Sequence, residues 1–140
     1  MRKKSERFRE ESAVIVGQHR GSIWHGRLRQ PQVGSAASVE FDWAWVIRRE
    51  ERQGDVIGFY HTHPRGLTAP SDRDVRTMRA WVTCLGKPLL CLIRSGNALA
   101  GYIFLREGGA DRNELLAEVQ EFPREVMVGV DNPGADAEEN

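Results

Sequence analysis

Residues 61–74 read His61-Thr62-His63-Pro64-Arg65-Gly66-Leu67-Thr68-Ala69-Pro70-Ser71-Asp72-Arg73-Asp74 and hold the main chemical pattern of the chain. One residue separates the two histidines, seven separate His63 from Ser71, and two separate Ser71 from Asp74. Imidazole nitrogens and carboxylate oxygens are zinc ligands, and catalytic zinc is held by three protein ligands with the fourth position open. The pattern therefore predicts a catalytic zinc site formed by His61, His63 and Asp74.

The sequence on either side of this pattern predicts a strand before it and a helix after it. Asp55 to Tyr60 (DVIGFY) is apolar and rich in β-forming residues, and alternate residues of a strand point the same way. Both histidines are therefore expected to project from one face at the end of this strand. Ser71 is a good N-cap for a helix from Asp72 to about Leu85, with Gly86 ending it. Asp74 then lies in the first turn, and the Ser71 hydroxyl can donate to an oxyanion.

The remaining patterns predict a mixed sheet with helices packed against it. Phe41 to Gln53 alternates like a strand at first, but its charged second half and Gly54 favour a helix with a glycine stop. The other expected elements are strands Ser12–Gly17 and Ile23–Leu28, a loop from Gln30 to Ala37, strands Leu89–Ile93 and Leu99–Leu105, and a helix Asp111–Glu121 ended by Pro123. Residues 1–130 are expected to form one domain, and residues 131–140 an acidic, disordered tail without apolar anchors.

Composition and charge argue against several classes of protein. With 140 residues, 40% of them hydrophobic, the chain is long enough to bury a core without disulfides. No apolar run is long enough to cross a membrane, and the basic start lacks the apolar stretch of a secretory signal. A formal net charge of zero argues against a general nucleic-acid binder. Cys84 and Cys91 match no disulfide or zinc-knuckle pattern, so we expect two buried thiols and a cytoplasmic location, with no membrane and no nucleic-acid partner.

The motif resembles the HxHP…SxxD signature of the JAMM family, also called MPN or JAB domains. The spacing of the four motif residues is that of the signature, and the preceding Gly58-Phe59-Tyr60 resembles the family's glycine-containing strand. The resemblance covers roughly Glu10 to Leu105 and is strongest with the compact bacterial members. It implies a cytidine-deaminase-like α-β-α sandwich that holds one Zn²⁺ per chain.

The family also has a catalytic glutamate near its N-terminus, followed after six residues by a glycine. Glu10 and Gly17 have this spacing, while Glu11 is one residue out of register. Neighbouring residues of an extended segment face opposite ways, so only one of the two carboxylates can reach the metal site. The resemblance thus implies Glu10 as the general base and Ser71 as the oxyanion donor. Because only the mostly charged residues 1–9 precede Glu10, the family's N-terminal helix is expected to be short or absent.

Members of this family commonly cut the peptide or isopeptide bond after the C-terminal glycine of ubiquitin or a ubiquitin-like protein. The resemblance implies the same reaction here, with a ubiquitin-like substrate. Compact bacterial members often occur with E1-like and E2-like proteins in anti-phage operons of the CBASS-associated and Bil types. The resemblance therefore implies E1-like and E2-like partners for this chain. The substrate tail would lie extended beside the site and pair with a strand edge. Gln32 to Asp42 is the expected clamp, with Val39, Glu40 and Phe41 as the pairing residues.

Three alternatives stay open at this point. One is release of cysteine or another small amine from a ubiquitin-fold sulfur-carrier protein, by the same chemistry with a different leaving group. A non-catalytic MPN scaffold typically lacks zinc ligands, whereas all are present here. A RadC-like protein has a similar histidine segment but usually carries a helix-hairpin-helix domain before it. His19 and His25 belong to neither motif and are expected to be ordinary core or surface residues.

Overall fold

The structure, a computed structural model, describes residues 9–21, 23–35, 41–64, 66–105, 112–116 and 125–129. In chain order its elements are β1 Arg9–Arg20, β2 Ile23–Ser35, α1 Trp43–Gln53, β3 Val56–Thr62, α2 Asp72–Leu85, β4 Leu89–Ser95, β5 Ala98–Phe104, β6 Arg112–Leu116 and β7 Glu125–Gly129.

The strands of these ranges form one mixed sheet, as the sequence predicts, and β3 lies in its middle. The strand order is β6-β5-β4-β3-β1-β2-β7. β3 runs parallel to β4, while the other neighbouring strands are antiparallel. A parallel pair needs a crossover connection, which α2 supplies. The C-terminal end of β3 therefore lies between β1 and β4, and α2 begins close to that end.

Helix α1 settles the ambiguous stretch before β3 in favour of a helix. It begins two residues later than expected because the Asp42 carboxylate accepts a hydrogen bond of 3.1 Å from Trp45 N–H and caps the helix there. Gly54 ends it as predicted, with a φ of 66° that favours glycine. Arg49 then donates two hydrogen bonds of 2.8 Å to Asp55, which tie α1 to the start of β3. The same contact lowers the pKa of Asp55 below its ordinary value.

Helix α2 has the bounds that the sequence predicts. Ser71 is its N-cap, and Gly86 ends it with a φ of 73°. Its apolar residues face the sheet, which leaves the polar residues of the helix towards solvent. Within the described part of the chain, no helix is long and apolar enough to cross a membrane.

Successive side chains of the central strands point to opposite faces of the sheet, so the core consists of two buried clusters, one on each face. Both described helices pack on the first face, through Val46 of α1 and Trp81 of α2. The strand residues beneath them include Val14, Val16, Val56, Phe59, Leu89, Cys91 and Ile93. The opposite face contains a second buried cluster that includes Ala13, Ile15, Trp24, Ile57, Tyr60, Leu90 and Leu92. The helical layer that the family resemblance implies for this face, and any N-terminal helix, lie outside the described residues.

The first hairpin is longer than the sequence predicts. The expected loop from Gln30 to Ala37 is wrong as far as Ser35, because Arg9 to Ser12 pair with Gln32 to Ser35 and extend both strands. Gln30 has a positive φ of 53°, and the register shifts at this point. An irregularity in β2 at Gln30 and Pro31 accommodates residues that form strands poorly. Pairing with β1 outweighs the preference of this segment for a turn.

The predicted helix from Asp111 to Glu121 is also wrong for residues 112–116, and the rest of it lies outside the described residues. Residues 112–116 form β6, which pairs antiparallel with β5. The open edge of β5 offers a row of backbone donors and acceptors, and pairing with them outweighs a weak local helix preference. β7 was not expected either, and it covers the edge of β2. The predicted stop at Pro123 and the acidic tail at residues 131–140 lie outside the described residues.

The two cysteines differ in environment, contrary to the expectation that both are buried. Cys91 is buried in β4, whereas Cys84 is exposed. Trp81 and Val82 of α2 turn towards the sheet, so the helical period carries Cys84 to the outer side. The expectation failed for Cys84 because a cysteine in an amphipathic helix can lie on either side of the apolar stripe.

Gly58 sets how closely β3 can approach β4. A methyl group at Gly58 would overlap the carbonyl oxygen of Leu90, its partner in the parallel pairing. We expect Gly58→Ala to lower the free energy of unfolding by about 3 kcal/mol or more, because the two strand backbones must move apart. Urea denaturation followed by circular dichroism measures this loss.

Gly86→Ala is the matched control for this measurement. Its added methyl group meets open space, so the expected loss is only the cost of a left-handed residue, about 1–2 kcal/mol. Equal losses in the two variants would contradict the close contact at Gly58.

Candidate metal centre and cleft

Three side chains bring their ligand atoms together where β3 ends and α2 begins. His61 Nε2 lies 3.0 Å from His63 Nε2 and 3.2 Å from Asp74 Oδ2. His63 Nε2 lies 3.1 Å from the same carboxylate oxygen. These are the three ligands predicted from the motif, and together they can hold a metal ion.

The triangle of ligand atoms has the size that a tetrahedral ion requires. Ligand atoms bound to one zinc ion at about 2.0–2.1 Å lie about 3.3–3.4 Å apart at tetrahedral angles, close to the separations here. His63 Nδ1 lies 2.9 Å from the Leu67 carbonyl oxygen, so it carries the ring proton and leaves a lone pair on Nε2. In a neutral ring that lone pair would face the Asp74 carboxylate, and two acceptors this close need either a proton or a metal ion between them.

The pKa values of two ligands reflect the same demand for positive charge. The hydrogen bond with Asp74 raises the pKa of His63 above its ordinary value. Burial acts to raise the pKa of Asp74, but hydrogen bonds with His61 and His63 outweigh it and hold the pKa well below its usual range. A proton on the His63 ring thus supplies positive charge beside Asp74 in the absence of a metal ion, and metal binding would release it.

The cap of α2 holds Asp74 in place. Ser71 N–H donates to Asp74 Oδ2 at 2.9 Å, and Asp74 N–H donates to Ser71 Oγ at 3.1 Å, which completes a capping box. The oxygen that faces the histidines is therefore the one fixed by the cap. Ser71 Oγ accepts in this pair, so its own proton is free to donate into the cleft that it lines.

The loop between the second histidine and α2 is held by β4 and β5. His63 N–H donates to the Arg94 carbonyl oxygen at 2.9 Å, so the second histidine still pairs with β4 beyond the end of β3. Ser95 Oγ donates to the Pro64 carbonyl oxygen at 2.7 Å, and Tyr102 Oη donates to the Thr68 carbonyl oxygen at 2.8 Å. These contacts return the chain to the sheet, which brings the N-terminus of α2 back to the histidines.

Glu10 lies within β1 and faces the metal centre. The sequence places it just before a short strand, whereas the longer β1 takes it into the sheet. Ser12 pairs with His61, so the antiparallel register puts Glu10 level with His63 on the same face. Glu10 lines the same cleft as the three ligands. Burial is the main cause of its raised pKa, and the nearby histidines act in the opposite direction.

Glu11 lies on the other side of β1. Its backbone N–H donates to Thr62 Oγ1 at 2.8 Å, and Thr62 alternates with the two histidines along the chain. Glu11 is not among the residues that line the cleft. The register argument made from the sequence therefore agrees with the geometry, since only Glu10 is directed towards the metal ligands.

The cleft beside these residues has a volume of about 550 Å³ and one strongly apolar side. We call this side the aromatic wall; it consists of Phe41, Trp43 and Phe59, and the buried Trp81 packs against Trp43 from the core. Phe41 and Phe59 have ring centroids 4.8 Å apart, and Trp43 and Trp81 have centroids 4.3 Å apart. Trp43 is 37% exposed, so part of the wall is open to a ligand.

Sequence reasoning missed the aromatic wall. The alternation of Phe41 and Trp43 was used only to weigh strand against helix. A usable signal was Phe59, which precedes His61 by two residues on a strand and must share its face. Among the expected substrate-pairing residues, Phe41 lies in the cleft but outside any strand, while Val39 and Glu40 lie outside the described residues.

The two remaining histidines lie away from the metal centre, as expected. His19 stacks on Trp24 with ring centroids 4.0 Å apart, and His25 is exposed on β2. Neither lines the cleft. Within the described ranges, the metal-ligand cluster consists of His61, His63 and Asp74.

Comparison with known proteins agrees with this arrangement. A comparison with curated proteins gives no match. The family model described as prokaryotic homologs of the JAB domain matches residues 1–113, which includes the metal ligands, Glu10 and Ser71. Its match extends over most of the chain, and its members include metal-dependent hydrolases of the JAMM type. The chain therefore belongs to the prokaryotic homologs of the JAB domain.

Proposed function

We propose that this protein is a zinc-dependent peptidase or isopeptidase that cuts after the C-terminus of a ubiquitin-like protein. The observation that carries the proposal is the joint position of four groups around one cleft. Two imidazole nitrogens and a carboxylate oxygen meet within 3.2 Å, and Glu10 lies on the same face of the sheet. A scaffold protein has no need for this complete set.

Each residue has a separate part in the proposed hydrolysis. His61, His63 and Asp74 would hold a zinc ion, which polarises a carbonyl group and lowers the pKa of a water molecule to about 7. Glu10 takes a proton from the attacking water and later delivers it to the leaving amine. The raised pKa of Glu10 suits the first step, because a carboxylate with a higher pKa is a stronger base. Ser71 donates a hydrogen bond to the oxyanion.

The shape of the cleft supports an extended peptide tail as the substrate. The aromatic wall lies beside the ligands and can contact apolar side chains next to the scissile bond. A ubiquitin-like protein has a flexible C-terminal tail able to enter such a cleft, and E1-like and E2-like proteins would be its conjugation partners. In the alternative reaction the same residues would release cysteine or another small amine from a ubiquitin-fold sulfur-carrier protein.

The first prediction concerns the metal. Purified protein is expected to contain about one zinc ion per chain by elemental analysis, because three ligands with good tetrahedral spacing are already assembled. His63→Ala should lose the ion, since it removes one of the three ligands. His25→Ala is the matched control and should retain it. A wild-type protein that stays folded and binds no zinc would contradict the site.

The second prediction separates the two glutamates. Glu10→Gln should abolish cleavage of a ubiquitin-like protein fused through its C-terminal glycine to a reporter, because an amide cannot accept the proton. Zinc content should be unchanged. Glu11→Gln is the control, since its carboxylate lies on the other side of β1. An active Glu10→Gln together with an inactive Glu11→Gln would show that the assigned register is wrong.

The same assay distinguishes the two substrate classes. An active enzyme that leaves the fusion intact but releases cysteine from a sulfur-carrier adduct would favour the alternative reaction. Either result requires Glu10, because both reactions need the same proton transfer.

The third prediction concerns Ser71. Ser71→Ala should lower kcat by on the order of 10²–10³-fold, because the oxyanion loses a hydrogen-bond donor. The substitution also removes a helix cap, so Ser71→Gly is the companion variant, since glycine at an N-cap costs only a few tenths of a kcal/mol. Equal rate losses in both variants would assign the effect to the donor. If Ser71→Ala instead lost more activity than Ser71→Gly, in proportion to its lower thermal stability, the loss of activity would be due to the missing helix cap.

A further inference from the structure

Ser12 is a buried hydroxyl for which the metal centre and the core give no explanation. It is 1% exposed, and the next four residues of β1, Ala13 to Val16, are apolar and buried. Among the described residues, no group forms a hydrogen bond with Ser12 Oγ, and the atom is sealed from water. A buried hydroxyl without a partner destabilises a folded chain, so an apolar residue of similar size would fit this position better.

The location of Ser12 places it next to a metal ligand. Ser12 and His61 are directly paired across β1 and β3, so their side chains stand side by side on one face. Directly paired residues of antiparallel strands have Cβ atoms about 4.5–5.5 Å apart. Ser12 also lines the cleft together with Glu10 and the three ligands.

His61 has one ring nitrogen without an assigned role. Its Nε2 faces His63 and Asp74, which leaves Nδ1 as the nitrogen that carries the proton in a metal-bound ring. The equivalent nitrogen of His63 lies 2.9 Å from the Leu67 carbonyl oxygen. For His61 Nδ1, no such acceptor bond is present among the described residues. Metal-bound histidines almost always donate this second N–H to a partner, which fixes the tautomer and the ring orientation.

We propose that Ser12 is a positioning residue, whose Oγ accepts a hydrogen bond from His61 Nδ1–H when His61 Nε2 binds the metal ion. The inference rests on the metal binding of the proposed function but not on its substrate. Ser12 and His61 are directly paired. His61 Nδ1–H lacks an acceptor, and the buried Ser12 Oγ lacks a hydrogen-bond partner among the described residues. Formation of the bond satisfies both groups at once, and it requires that the ring be held through Nε2.

The test compares zinc affinity with the stability of the metal-free protein. Full-length Ser12→Ala is expected to bind zinc about 10–100-fold more weakly in competition with a chromophoric chelator. The metal-free form should unfold at the same or a higher urea concentration than the wild type, because the substitution removes an unpartnered hydroxyl. Ser12→Thr retains the hydroxyl and should restore most of the affinity.

A positioning role for Ser12 predicts that Ser12→Ala lowers zinc affinity without lowering the stability of the metal-free protein. A role in packing alone predicts that the substitution lowers the stability of the metal-free protein. Equal zinc affinity in Ser12→Ala and wild type would overturn the proposal. Loss of metal-free stability in Ser12→Ala would also overturn it, since the hydroxyl would then have a partner before the metal binds. In histidine-labelled protein with zinc, the ¹⁵N resonance of His61 Nδ1 should shift on Ser12→Ala, and an unchanged resonance would contradict the bond.

These outcomes are distinguishable from failure of the proposed function. A wild-type protein that binds no zinc would remove the metal site, and this appears in the wild type before any variant is compared. Zinc binding without cleavage of ubiquitin-like fusions would count against the proposed substrate and leave the role of Ser12 intact.

Discussion

The Asp74 carboxylate connects the fold to the chemistry of the site, because one of its oxygens serves both. Oδ2 accepts the Ser71 N–H that begins α2 and also lies within 3.2 Å of both histidine nitrogens. The side chains of a helix cap at the surface can normally change conformation. Here His61 and His63 also contact the Asp74 carboxylate and restrain it. The start of α2 therefore cannot move away from the end of β3 without loss of the ligand set.

The sheet supplies the second constraint, which is register. β1 and β3 are antiparallel neighbours, so the pairing of Ser12 with His61 determines which glutamate reaches the metal centre. A slip of one residue would bring Glu11 to the cleft and send Glu10 to the opposite face. Gly58 assists because it lets β3 approach the backbone of β4 closely. The positions of Glu10 and of the candidate metal ligands therefore depend on the same strand pairings.

The errors in the sequence-based predictions have a common physical origin. Residues 112–116 were expected to be helical and instead form β6, and Gln32 to Ser35 were expected in a loop and instead pair in β2. In both cases a strand edge far away in sequence offers backbone hydrogen bonds that a local pattern does not contain. The exposure of Cys84 has a similar cause, since packing of α2 on the sheet decides which of its residues are buried and which are exposed. Helix α2 was predicted correctly because its cap, its apolar period and its terminal glycine are all local signals.

The three candidate metal ligands and the capping serine could be identified from the sequence alone, whereas the two candidate glutamates were identified through the family resemblance. Spacing along one strand and one helix turn was enough, because those distances are set by local backbone geometry. The family resemblance favoured Glu10 over Glu11, and the pairing of β1 with β3 places Glu10 on the side of the ligands. The aromatic wall and the position of Ser12 beside His61 became visible in the folded chain alone. These relations join residues more than 15 positions apart in the chain, and they arise from strand pairing and helix packing, which no short pattern encodes.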